Sequence, residues 1–209
     1  MLKRASDMGA VRFNIVNLRD FTTDRHQTVD DRPYGGGPGM VMKPEPFFKA
    51  VEAIRTPEAR VILMSPQGRR FTQAVANELS DVPHLIFICG HYEGIDERVS
   101  EALVTDEISI GDYVLTNGTL AATVVIDAMV RLLPHVLGGE GATEEESFQD
   151  DLLEYPHYTR PEVFRGLPVP DVLLSGHHGE IAKWRKAQSI RRTSERRPDL
   201  IKPAIDKST

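Results

Sequence analysis

One cysteine, Cys89, stands in 209 residues. A lone thiol excludes a disulfide framework and leaves no cysteines at metal-ligand spacing, which fits a reducing cytoplasm. A secretory signal is not expected: the start, MLKRASDMGA, is positively charged but has no apolar segment behind it. No membrane partner is expected either. The longest apolar stretch, Leu120 to Leu137, is broken by Asp127, Arg131 and Pro134 and reads as a buried helix. The glycine cluster DDRPYGGGPGM, Asp30 to Met40, lacks the Lys-Ser or Lys-Thr pair of a nucleotide-hydrolase phosphate loop. The stretch ISIGDYVLTNG, Ile108 to Gly118, contains no nucleophile and no metal-ligand cluster. No internal repeat is found.

Basic charge is scarce on average, with a net charge of −6, yet it is unevenly spread. Residues 101–150 carry 10 acidic side chains and a single basic one, Arg131, whereas Lys183 to Arg197 holds seven basic residues against Glu195. Such a cluster attracts phosphates within a Debye length of ~10 Å whatever the distant total is. A solvated helix face is the simpler alternative.

Hydrophobic residues make up 40% of the chain, enough for a core in one domain with a smaller appendage. The first half alternates strand-like and helix-like segments. VRFNIVNL, ARVILMSP and HLIFICG read as strands; KPEPFFKAVEAIRT and TQAVANELS read as helices. Apolar, β-branched runs separated by helices imply an α/β fold with a parallel sheet covered on both faces. Ligands of such sheets bind beyond the carboxyl ends of the strands. Those ends are SPQG, CGHYEG and IGDYVLTNG, which together form one candidate pocket. From Gly138 to Asp150 the chain turns polar and reads as a flexible linker. A proline-rich stretch follows, then a helix from about Glu180 to Arg192 with Ile181, Trp184, Ala187 and Ile190 at compatible spacing. The expected organisation is 1–137, linker 138–150 and a small helical domain 151–209.

The glycine cluster must be a loop, because consecutive glycines carry a high backbone entropy cost and no packing side chains. It is either a surface loop or one that closes on a large substrate with Asp30, Asp31 and Tyr34 as its polar edge. In HYEGIDER, Glu93 is placed to accept hydrogen bonds from a ligand, while Asp96 and Glu97 suit a helix N-terminus. Gly90, Gly111 and Gly118 would let main-chain groups approach the edge of a neutral or cationic aromatic ligand, with Ile110, Tyr113 and Leu115 as apolar walls.

RDFTTDRHQTVDDRPYGGGPGM, SPQGR, CGHYEGIDERV, SIGDYVL, PHYTRPE and VLLSGHHGEIAKWR occur in this order between about Asn17 and Ile201. They resemble the successive signatures of the bacterial tRNA (guanine-N1)-methyltransferase family, TrmD. The resemblance implies a knotted, SPOUT-type parallel sheet with a helical C-terminal domain, and a homodimer with its active site at the interface. It implies a cytoplasmic enzyme that moves a methyl group from S-adenosyl-L-methionine to N1 of guanine at position 37 of tRNA. Ser65, Pro66, Gly90, Glu93, Gly94, Ile110, Gly111, Asp112, Tyr113, Val114, Leu115 and Gly118 match the family's cofactor site, Ile110 to Gly118 being a knot strand. Substrate contacts would come from Asp30, Tyr34, His157, Tyr158, Arg160, Lys183, Arg185 and Arg191. Magnesium is raised by the same resemblance, although no residue set in the sequence identifies a metal site.

Guanine N1 is a poor nucleophile until its proton leaves, so a base is required, and charge then develops toward O6. The resemblance assigns O6 to Arg131 and the base to the residue before Ser-Phe. That residue is Glu146 here, where the family has aspartate. Arg131 could instead form an ion pair with Asp127, four residues earlier. Asn117 stands where the family has a glycine, and asparagine tolerates the left-handed region. Family members begin with an apolar strand and helix; MLKRASDMG resembles the end of that helix, so the first, central strand is expected to be absent. Two rivals stay open: a knotted methyltransferase acting on another RNA, and a catalytically silent S-adenosylmethionine- or RNA-binding protein.

Overall fold

The computed structural model describes residues 1–138 and 146–201. The chain divides into two compact units, Met1–Gly138 and Gly139–Thr209.

The first unit is built on three parallel strands, β3 (Arg60–Arg70), β4 (Leu85–Cys89) and β5 (Asp106–Ser109), in the order β4-β3-β5. In β3, Val61, Ile62, Leu63 and Met64 are all buried, as expected of a strand covered on both faces. One face packs Val61, Leu63, Ile86 and Ile88 against α2 (Pro44–Ile54) and α4 (Glu97–Leu103). The other packs Ile62, Met64 and Ile108 against α3 (Gln73–Ser80) and α5 (Gly118–Val130). A short α1 (Leu2–Asp7) sets Ala5 against Val130 and Val136. The helices begin where local chemistry allows: α2 has proline in its first turn, Thr72 accepts the Val75 N–H at 3.4 Å, and Asp96 accepts the Arg98 N–H at 3.1 Å.

β3 is longer than its sequence suggests. Its pairing with β5 breaks after Met64 and resumes at Arg69, so Ser65 to Gly68 leave the ladder. Arg69 fastens the far side of this bend, with Nη2 2.5 Å from Asp106 and Nη1 3.0 Å from Glu78. Arg60 reaches the same two carboxylates, Asp106 at 3.0 Å and Glu78 at 2.6 Å. The two guanidiniums hold the Glu78 carboxyl down at about 2, Arg69 having the larger effect.

Three sequence expectations are corrected here. VRFNIVNL pairs with no strand among the described residues, its last residue opens a 3-10 turn, and Ile15 is 96% exposed. Its alternation suits a sheet, but a strand exists only where a neighbour accepts its main-chain bonds. Ile110 to Asn117 is a loop, not a strand, because β5 ends at Ser109. The apolar run from Leu120 stays helical only to Val130; turns follow as far as Leu137.

The glycine cluster connects β1 (Asp30–Asp31) to its antiparallel partner β2 (Val41–Met42). In the second unit, β6 (Val163–Phe164) and β7 (Leu167–Pro168) form a hairpin ahead of α6 (Asp171–Leu174) and α7 (His178–Arg196). The expected stripe on α7 is only partly realised. Ile190 is 48% exposed, whereas Ser189 and Thr193 are buried. Thr193 Oγ1 accepts the Leu153 N–H at 2.9 Å and donates to Ser189 O at 2.7 Å, so a polar anchor docks the preceding segment. Of the expected linker, residues 139–145 lie outside the described residues. Ser147 and Phe148 are folded onto the second unit: Glu154 N–H donates to Ser147 Oγ at 3.1 Å, and the Phe148 ring lies under Arg197 at 5.7 Å. Among the described residues no helix is long and apolar enough to cross a membrane.

Candidate active site

At the carboxyl end of the sheet a cavity of about 280 Å³ is walled by the bend of β3 (Ser65 to Gln67), the loop after β4 (Gly90 to Ile95) and the loop after β5 (Ile110 to Gly118). This is near the lower end of the volumes usual for small-molecule sites, roughly 300–1,000 Å³. The second and third loops are tied together by the Gly118 N–H donating to Gly90 O at 3.0 Å. The join requires glycine: a Cβ on Gly118 would meet the Cα of Cys89 at 2.9 Å. Burial pushes the Cys89 thiol up, partly offset by the Thr119 hydroxyl.

Asn117 takes a part the sequence did not suggest. Its φ of −159° is extended rather than left-handed, and its Oδ1 accepts the Thr119 N–H at 2.9 Å, capping α5. The loop before it is tightened by Ser109, whose Oγ accepts the Gly111 N–H at 3.2 Å, and by the Tyr113 N–H donating to Gly111 O at 3.0 Å.

The glycine cluster reaches the same cavity from outside. Glu93 N–H donates to Met40 O at 3.1 Å and Met42 N–H to Gly94 O at 3.0 Å. Gly39, at φ +77°, lies so close that a Cβ would meet Glu93 Cγ at 2.4 Å. The loop is therefore sewn to the cavity wall, with the Tyr34 side chain fully exposed at its tip.

Among the described residues the charge lining the cavity has one sign: Glu93, Glu97 and Glu107 line it, and no lysine or arginine does. Apolar Ile110, Val114 and Leu115 share the wall with main-chain groups. Such a site suits a ligand that pairs a flat apolar part with positive charge.

Over residues 1–203 the sequence matches the family model described as tRNA (Guanine-1)-methyltransferase TrmD. This chain belongs to the TrmD family. Curated relatives, each named tRNA (guanine-N(1)-)-methyltransferase, include that of Carboxydothermus hydrogenoformans, 62% identical over 202 residues, which are 97% of this chain and 80% of the relative. That of Pelotomaculum thermopropionicum is 60% identical over 208 residues, 98% of this chain and 83% of the relative. That of Anoxybacillus flavithermus is 61% identical over 204 residues, 96% and 83%.

In this TrmD-family chain, eleven of the twelve residues matched to the cofactor site line the cavity: Ser65, Pro66, Gly90, Glu93, Gly94, Ile110, Gly111, Tyr113, Val114, Leu115 and Gly118. Asp112 does not line it and sits exposed on the turn. Gln67 and Thr116, within the strand ends named from the sequence, also line it, as do Glu97, Ser100 and Glu107, which lie outside those strand ends. Ser100 donates its hydroxyl to Glu107 Oε1, joining α4 to β5 on the cavity side. An acidic residue inside an otherwise sheet-forming segment was the available signal for Glu107.

Arg131 ends α5, its N–H bonding Asp127 O at 3.3 Å, and it is half-buried in the first unit. Glu146 is half-buried at the start of the described part of the second unit. Asp30 is half-buried in β1. In the second unit His157 Nε2 lies 2.7 Å from Glu154, its ring 4.8 Å from that of Tyr155, and the Arg185 guanidinium lies over the Tyr155 ring, 4.6 Å from its centroid. Tyr158 packs on Trp184 at 6.4 Å. The remaining substrate candidates are spread along the surface. Lys183 pairs with Glu180 at 2.9 Å, Arg191 donates to Gln188 at 2.6 Å, and Arg160 is exposed. Tyr155 and Glu154 were missed as members of this patch. Among the described residues no group of three or more His, Cys, Asp and Glu is placed to hold a metal, so magnesium gains no support.

Proposed function

We propose that this chain transfers the methyl group of S-adenosyl-L-methionine to N1 of guanine in tRNA, at position 37 beside the anticodon. The observation that carries the reading is the cavity itself: three strand-end loops around one space, lined by carboxylates and main chain and, among the described residues, by no lysine or arginine. A sulfonium donor with a flat base fits that environment, and Gly118 keeps the main chain within reach of the base edge. When bound, the donor supplies an electrophilic methyl group.

The chain's own residues do the rest. Glu146 takes the proton from guanine N1, freeing the ring nitrogen's lone pair for attack. Arg131 holds the charge that develops at O6, a term worth most where water is excluded. His157, Tyr158, Arg160, Lys183, Arg185 and Arg191 bind the anticodon stem-loop, with the basic α7 supplying phosphate contacts. Asp30 and Tyr34 border the entering nucleotide from the glycine loop. On this reading the strand-end loops belong to a trefoil-knotted, SPOUT-type sheet, and residues 138–150 tether a tRNA-binding domain to the knotted one. The enzyme works as a cytoplasmic homodimer with the acceptor guanine at the interface. Exposed apolar side chains, Val114 at the cavity and Leu120 and Val124 on α5, support such an interface.

The test is methyl transfer by the purified chain from labelled donor to tRNA transcripts carrying G or A immediately 3′ of the anticodon. Label at N1 of the G transcript, with none on the A transcript, is expected. Transfer to ribosomal RNA instead, or label at another ring position, overturns the assignment.

A further inference from the structure

S-adenosyl-L-methionine carries an adenine ring, a sulfonium, an ammonium and one carboxylate. The cavity at the strand ends answers the first three, with apolar walls and main chain for the ring and with Glu93, Glu97 and Glu107 for the two cations. The carboxylate is the unmatched part. Beside three side chains of its own sign, it needs a donor that offsets both the repulsion and the loss of water.

Main-chain N–H groups are a common answer, but six in the cavity loops are already engaged. Gln67 N–H donates to Ser65 Oγ at 3.1 Å, Gly111 N–H to Ser109 Oγ at 3.2 Å and Gly118 N–H to Gly90 O at 3.0 Å. After β4, Glu93 N–H donates to Met40 O at 3.1 Å, Gly94 N–H to His91 O at 3.1 Å and His91 N–H to Met42 Sδ at 3.3 Å. This favours a side chain. Among the described lining residues, His91 alone has a side chain that can carry positive charge. Its main chain is anchored on both sides by the bonds just given, and its ring lies 6.0 Å from that of Tyr92.

We propose that His91, as an imidazolium, pairs with the carboxylate of the methyl donor and makes the site select donors that carry one over decarboxylated donors. The inference rests on the methyl-donor reading above and adds to it a specificity residue and a pH dependence. The charged and titratable groups around His91 are Tyr92 and Glu93 on its own loop, Glu97 of α4, Glu107 of β5 and Tyr113 of the loop after β5. Lys3 and Arg19 line a neighbouring space that His91 also borders. Between about pH 5.5 and 7.5, carboxylates, phenols, lysine and arginine as classes keep one charge state while imidazole changes. The preference is therefore full at the acid end and is lost as pH rises.

The full chain is titrated calorimetrically with S-adenosyl-L-methionine and with its decarboxylated analogue, at about pH 5.5 and about pH 7.5. The parent is expected to prefer the carboxylated donor by about threefold or more at the acid end, within the range of an exposed ion pair, and to lose that preference at the other. His91→Gln loses the preference at both, with affinity for the decarboxylated analogue unchanged, which shows that the loop still folds. His91→Arg keeps the preference at both, its charge being permanent. A preference that survives in His91→Gln, or that does not vary with pH in the parent, overturns the proposal. So does an equal fall for both ligands in His91→Gln, which would make His91 a support of the loop. Binding of neither ligand by the parent overturns the methyl-donor reading itself, and this inference with it.

Discussion

Gly118 lies so close to Cys89 that a side chain at the first would place its Cβ 2.9 Å from the Cα of the second. Two cavity loops meet at that contact, and only main chain fits between them. Gly118→Ala must push the loops apart, a strain of the kind that costs ~1–3 kcal/mol in packed interiors. Donor affinity measured by calorimetry is expected to fall by about tenfold or more, one such step being ~1.4 kcal/mol. Affinity equal to that of the parent would show that the contact does not shape the site.

Glu146→Gln keeps the size of the side chain and removes the proposed base. Turnover on tRNA is expected to drop by ~10²-fold or more with donor affinity unchanged. Glu146→Asp shortens the reach by one methylene, and its rate relative to the parent reports how well the longer side chain is positioned. If neither variant changes turnover, another group takes the proton.

Arg131→Lys retains the charge and loses the planar fork. Because Arg131 acts on the nucleobase in the proposed mechanism, kcat should fall much more than donor binding. A parallel fall in both would assign Arg131 to the stability of α5, whose carboxyl end it caps.

Acid sensitivity is expected from the bend of β3. Arg69 and Arg60 hold Glu78 at about 2, below its ordinary 4.5, so the stability this contributes is present above about 4.5 and is lost as pH falls toward 2. The group is well exposed, which keeps the contribution small. Melting temperatures of the parent and Glu78→Gln should differ at pH 7 and converge across that acid window; a constant gap would remove the ion-pair explanation.

In the second unit, Thr193→Val leaves the Leu153 N–H without its acceptor. Burying an unpaired donor costs about 1–3 kcal/mol, so chemical denaturation should show a loss in that range. Thr193→Ser keeps the hydroxyl and should recover most of it.

The local elements were legible because their signals are local. Proline in the first turn of α2, the threonine before α3 and the buried run in β3 each act within a few residues. The strand-end loops could be named for the same reason: apolar runs end in glycine and polar residues at Ser65, Gly90 and Gly111. VRFNIVNL carried an equally good strand pattern and formed no strand, since pairing depends on a neighbour supplied from elsewhere.

What the sequence determined by itself is the order of elements, the three loops that bear the site and the family to which the chain belongs, all encoded in short contiguous patterns. Tertiary structure alone decided that Gly118 seats against Cys89, that Gly39 seats against Glu93 and that Arg69 meets Asp106. Each of these depends on residues far apart in the chain being brought within a few ångströms, and no local pattern carries that distance.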